Sequence, residues 1–207
     1  MTDNFRRISV SEACTIVSSV CSEECSVVYR YARKLQSAGA LPLSRGRSIP
    51  GINARQFTRL LIAALVRPRY ERTALVVEEI YNLRIIVIPE SFPGEKPSAF
   101  GEELALNLCL AGADPKKMPP TERDLRRSAY DAHYEICPDF PAAVIHHAGT
   151  RQVYQSPGQI PGYWKASIKR SVAVTGRTLV ECFDAGLELE HLEPGFADVS
   201  FEYPDCF

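Results

Sequence analysis

The chain has 207 residues, 45% apolar and 24% charged, with a formal net charge of −1. That composition excludes collagen-like and wholly disordered chains, and no run approaches the ~18 uninterrupted apolar residues of a membrane-spanning helix. The charge is strongly polarised: residues 1–72 carry twelve Lys or Arg against five Asp or Glu, and the rest carry twelve against twenty, the pattern of a polyanion-binding head on a non-binding body.

Arg6 and Arg7 precede an apolar stretch, but Ser9, Ser11, Glu12 and Ser18 interrupt it, so it reads as part of the fold and not as a secretion signal. Ser9-Val-Ser-Glu12 is a capping box, and Val10, Ala13, Ile16, Val17 and Val20 recur at helical spacing, predicting a helix over about 10–20. After a break at Cys21-Ser22, Ser22 is the expected N-cap of a second helix, with Glu23 and Glu24 at its positive end. That helix runs to Ala38 and stops at Gly39, the expected left-handed C′ residue. Its apolar stripe is Cys21, Cys25, Val28, Ala32 and Leu35; Ser26, Arg30, Arg33 and Ser37 lie opposite, with Tyr29 at their edge. Residues 40–51 form a turn-rich, basic segment. Asn53, with Gln56 three residues on, caps a third helix whose buried stripe is Phe57, Leu60, Leu61, Ala64 and Leu65 and whose outer face carries Arg55 and Arg59; Pro68 ends it.

Beyond the head, Arg72–Asn82 reads as helix, Leu83–Ile88 fits a strand, and Pro89–Pro97 is a proline-rich loop or linker. Ala99–Ala111 reads as a helix and Gly112–Pro120 as turn. Thr121 is expected to cap a helix reaching about Ile136. Pro141–Ala148 and Gln152–Gln155 read as a β-hairpin, Ser167–Val174 as a third strand and Gly176–Leu189 as a helix. The tail from Glu190 has no periodicity; from Glu181 onward there are eight acidic residues and no Lys or Arg. The expected fold class is therefore α+β: a winged helix-turn-helix head over 1–70, a connecting helix and linker over 71–97, and over 98–207 a small mixed domain with a short antiparallel sheet, which mediates oligomerisation or partner binding.

Two short helices joined by a tight turn, the second apolar inside and Arg-bearing outside, make a helix-turn-helix pattern. In that arrangement Arg30 and Arg33 reach guanine edges or phosphates in a major groove, Ser26 and Tyr29 assist, Ser22 and Ser26 approach the backbone, and Lys34 adds charge to the same helix. Arg45-Gly46-Arg47 has the form of a wing that lies on phosphates or enters a minor groove, and Arg55 and Arg59 are expected to contact phosphates.

Residues 16–65, including Val28-Tyr-Arg-Tyr-Ala-Arg-Lys-Leu35, Gly39-Ala-Leu-Pro42, the Arg45/Arg47 turn and Phe57–Leu65, resemble the winged helix-turn-helix head of MerR-like and excisionase-like proteins and of prophage-encoded DNA-binding proteins. The resemblance implies a recognition helix, a basic wing and a further helix packed back on the head. It covers about a quarter of the chain. No long heptad-patterned helix follows, so the coiled-coil dimer and effector site of MerR regulators are not implied.

Seven irregularly spaced cysteines without a C-x-x-C pair fit reduced thiols in the cytoplasm. Cys14, Cys21 and Cys25 cluster in sequence, but two of them fall on an apolar stripe and no fourth ligand is near, so they read as core. His146 and His147 are neighbours on a strand and point to opposite faces, so they do not grip one ion; His133 and Cys137 lie at a helix end. No phosphate-cradling loop, G-x-S-x-G or H-E-x-x-H occurs. The expectation is a cytoplasmic, cofactor-free, non-enzymatic, sequence-specific regulator that binds double-stranded DNA as a homodimer or other homo-oligomer and is of prophage type. The alternatives are a small-terminase-like phage packaging subunit and a protein-binding adaptor.

Overall fold

The structure is a computed structural model that describes residues 8–43, 50–87, 99–111, 116, 118–137, 141–147, 150–156 and 172–185. Among these residues are seven α-helices and a five-stranded sheet, an α+β arrangement. No helix among them is long and apolar enough to cross a membrane.

Both capping boxes form. Helix α1 (Val10–Cys21) opens with Glu12 N–H donating to Ser9 Oγ at 3.1 Å and Ser9 N–H donating to Glu12 Oε2 at 2.7 Å. Helix α3 (Ala54–Val66) opens with the same reciprocal pair between Asn53 and Gln56, each at 3.0 Å. Helix α2 (Cys25–Ser37) ends in a Schellman motif: Ala40 N–H bonds Leu35 O at 2.8 Å, Gly39 N–H bonds Gln36 O at 3.0 Å, and Gly39 has φ +76°.

The start of α2 differs from expectation. Ser22 is the C-cap of α1, in the left-handed conformation at φ 47°, and Glu24 holds the N-cap position of α2 without a side-chain bond to the helix. The turn closes backwards instead of forwards. Glu23 N–H bonds Ser18 O at 3.0 Å and Ser18 Oγ–H bonds Glu23 O at 2.5 Å, so the polar groups of this turn are committed to α1. An isolated antiparallel bridge, Ile52 N–H to Ile8 O at 2.8 Å, fixes the entry to α3.

After a single 3-10 turn (Tyr70–Arg72), α4 (Thr73–Tyr81) leads into strand β1 (Arg84–Val87), and α5 (Phe100–Ala111) into α6 (Pro120–Tyr130). The expected helix from Thr121 to about Ile136 is two elements. Helix α6 starts at Pro120, with Pro119 at the N-cap, and ends at Tyr130; His133–Cys137 is strand β2. Strands β3 (Ala142–His147) and β4 (Thr150–Gln155) form the expected hairpin, and β5 (Val172–Thr175) precedes α7 (Gly176–Ala185). Thr175 Oγ1 accepts from Thr178 N–H at 3.1 Å and so caps α7. The parts of the expected elements at 88–98, 167–171 and 186–189, and the acidic tail, lie outside the described residues.

The sheet order is β1-β4-β3-β2-β5, antiparallel throughout. One face, with Tyr134, Ile136, Ala143, Ile145, Tyr154 and Val174, joins the main core; on the other, Cys137, Ala142, Val144 and Val153 form a separate cluster. The main core runs from Ile8 to Leu179 and takes side chains from α1, α2, α3, α4, α5, α7 and the sheet. At its centre is α3, where ten of thirteen residues are buried, including Ile62, Ala63 and Val66 outside the expected stripe. It packs on α1 and α2 and also on α4, α5, β2 and β5.

Candidate nucleic-acid interface

Helix α2 is amphipathic, but its expected apolar stripe is shortened: Cys21 is the last residue of α1, Cys25 is half-buried, and Tyr31 is buried in addition. Val28, Tyr31, Ala32 and Leu35 are buried at i, i+3, i+4 and i+7, while Ser26, Arg30, Arg33 and Ser37 are exposed along the opposite stripe. Arg30 and Arg33 are both exposed and have no ion pair or side-chain hydrogen bond among the described residues. Ser26 Oγ–H donates to Glu24 Oε2 at 3.2 Å, and Ser22 is exposed in its left-handed turn. Tyr29 is half-buried, and its hydroxyl is hydrogen-bonded to Ser11 Oγ on α1. Lys34 places its Nζ 4.6 Å from the centroid of the Tyr70 ring, a cation–π contact that ties α2 to the 3-10 turn.

The arginines of α3 are engaged elsewhere. Arg55 Nε pairs with Glu102 Oε2 at 2.8 Å, although 65% of the Arg55 side chain stays exposed. Arg59 is only 20% exposed; its Nε pairs with Glu78 Oε1 at 2.5 Å and its guanidinium lies 3.9 Å from the centroid of the Tyr81 ring. Tyr81 Oη–H in turn donates to Glu102 Oε1 at 2.9 Å, so one polar network joins α3, α4 and α5. Burial pulls the Arg59 pKa down, but the hydrogen bond and charge of Glu78 outweigh it and hold it above the ordinary arginine value. Burial, then Glu102, raises the Tyr81 phenol above its usual range. Arg45 and Arg47 lie outside the described residues.

One positioning residue escapes sequence reasoning. Arg67, the C-cap of α3 with φ 51°, pairs with Glu23 at 2.8 Å and donates to Cys21 O at 3.3 Å. It thus clamps the turn between α1 and α2 from the far end of α3. The sequence signal was Pro68, which stops α3 and leaves the preceding residue outside right-handed helical geometry.

The cysteines and histidines divide as their environments require. Cys14 is buried, and burial pushes its thiol up to about 12; Cys21 and Cys25 are half-buried. His146 shares a sheet face with His133, Glu135 and Arg151, and its ring stacks edge-on to that of His133 at 5.8 Å. His147 points the other way, within 3.1 Å of Ser128 Oγ. Among the described residues, no group of three or more His, Cys, Asp or Glu side chains could hold a metal ion. No family model, no curated protein and no solved structure matches this chain.

Proposed function

We propose that the chain is a sequence-specific, double-stranded-DNA-binding protein that reads a groove with α2 of an N-terminal winged helix-turn-helix, as a cytoplasmic regulator of prophage type. The supporting observation is the contrast between two sets of arginines. Arg55, Arg59 and Arg67 are paired with carboxylates of the same chain, whereas Arg30 and Arg33, exposed on one stripe of α2, have no carboxylate partner among the described residues. A guanidinium left free on a helix preceded by a tight turn is positioned for guanine O6 and N7. Ser26 borders the same stripe, and Lys34 carries its charge beside it. Tyr29 keeps α2 on α1 through Ser11. One helix makes too few base contacts for high specificity, so the binding unit is a homo-oligomer that places two such helices on two half-sites.

Selecting bound sequences from a random duplex pool tests this reading. The wild-type protein should enrich a defined site. Arg30→Ala or Arg33→Ala should relax one or two positions of it, at about 1–3 kcal/mol per lost contact. An unenriched pool, or variants with unaltered preference, would remove α2 as the reading element.

A further inference from the structure

We propose that the 3-10 turn after α3 is a second DNA-contacting element, with Arg69 and Arg72 as its phosphate ligands; the proposal rests on the DNA-binding reading of α2. The turn is built rigidly beside that helix. It leaves α3 at Arg67, which is held by Glu23 and Cys21 O. Arg72 N–H bonds Arg69 O at 2.9 Å, Thr73 Oγ1–H bonds Tyr70 O at 2.9 Å, and the buried Thr73 anchors the exit. Tyr70, 40% exposed, receives the Lys34 ammonium on its ring and so couples the turn to the C-terminal half of α2.

Arg69 is the N-cap of the turn and Arg72 its last residue, so the backbone bond between them holds both ends of one short, ordered turn; both are exposed, and neither has an ion pair or side-chain hydrogen bond among the described residues. With Arg30, Arg33 and Lys34 they put five cations on α2 and the turn packed against it. The carboxylates nearby are few: Glu71 is exposed between the two arginines, Glu24 takes a bond from Ser26, and Glu23 is neutralised by Arg67. Backbone contacts position a reading helix on the duplex without specifying sequence. Arginines on an ordered turn beside α2 fit that task better than Arg59, which is withdrawn under Glu78 and Tyr81.

The experiment measures the salt dependence of duplex binding by the full chain for four proteins: wild type, Arg69→Ala/Arg72→Ala, Arg69→Lys/Arg72→Lys and Arg55→Ala. Each phosphate contact contributes roughly 0.9 to the log–log salt slope. The alanine pair should therefore flatten the slope by about two units and weaken all duplexes alike, while selecting the same sequence. The lysine pair, which keeps the charges, should restore the wild-type slope, and Arg55→Ala should leave it unchanged. Both side chains are exposed, so a thermal melt matching wild type confirms that the alanine pair folds. If wild type binds duplex but the alanine pair keeps its slope, or Arg55→Ala flattens it instead, the turn is not a phosphate contact and the α2 reading stands. If wild type shows no salt-dependent duplex binding, the DNA reading falls and this proposal with it.

Discussion

His147 shows how a residue's surroundings set its chemistry. Burial lowers the pKa of His147 below the ordinary 6.5, against the opposing pull of Glu103 and of a hydrogen bond to the Ser128 backbone. His146 is lowered too, by burial and then by His133 and Arg151, with Glu135 opposing. In the unfolded chain both imidazoles take up protons near pH 6.5, before the folded ones do. The unfolded state then binds more protons, and stability falls as pH drops through that window. Denaturant unfolding at pH 7.5, 6.5 and 5.5 should show this decline, and His147→Leu should make it shallower. A slope unchanged in the variant would mean that His147 takes up protons equally in both states.

Two glycines separate backbone conformation from packing at the scale of the element. Gly39 has φ +76° and open space where a Cβ would stand, so Gly39→Ala pays only the left-handed penalty of about 1–2 kcal/mol. Gly176 begins α7 where it crosses α6, and a Cβ there would lie 2.1 Å from Ala129 O and 2.9 Å from Tyr130 O. Backbone cannot retreat as a side chain can, so Gly176→Ala should cost more than Gly39→Ala, at or above the upper part of the roughly 1–3 kcal/mol typical of overpacking. Denaturation midpoints of the two variants check the order. The Gly39 stop and both capping boxes were legible because their signals lie within four residues of one another. The turn at Ser22 was not, because its geometry depends on Ser18 and on Arg67, the latter 45 positions away. The strand at His133–Cys137 was hidden for a similar reason. No Gly or Pro separates it from α6, and Tyr134 and Ile136 acquire their meaning only when β3 and β5 pair on either side.

The basic head was visible in the sequence as a charge asymmetry, and the free arginines of α2 followed from its helical register. The role of α3 was not visible. A one-sided stripe predicted a helix that only closes the head, yet Ile62, Ala63 and Val66 are buried as well, and Arg55 and Arg59 face carboxylates of α5 and α4. Apolar residues on nearly every side of a helix need partners on every side, and four of the six elements that pack on α3, namely α4, α5, β2 and β5, come after residue 72 in the chain. A fragment ending at Arg72 should therefore fail to give a cooperative thermal transition, or should self-associate, whereas the full chain unfolds in one step. A fragment that melts cooperatively as a monomer would assign the far side of α3 no part in the stability of the head.

Burial on both sides of α3 also limits how such a chain can change by recombination. Domains joined by a solvated linker can be exchanged, since few contacts cross the boundary and neither piece loses core at the cut. Here a crossover anywhere between α3 and α5 would strip partners from Leu60, Leu61 and Phe100 together, and would orphan the carboxylates of Glu78 or Glu102. On the proposed DNA-binding reading, new preferences would be reached more readily by point substitution on the exposed stripe of α2, where Ser26, Arg30 and Arg33 can vary without touching the core.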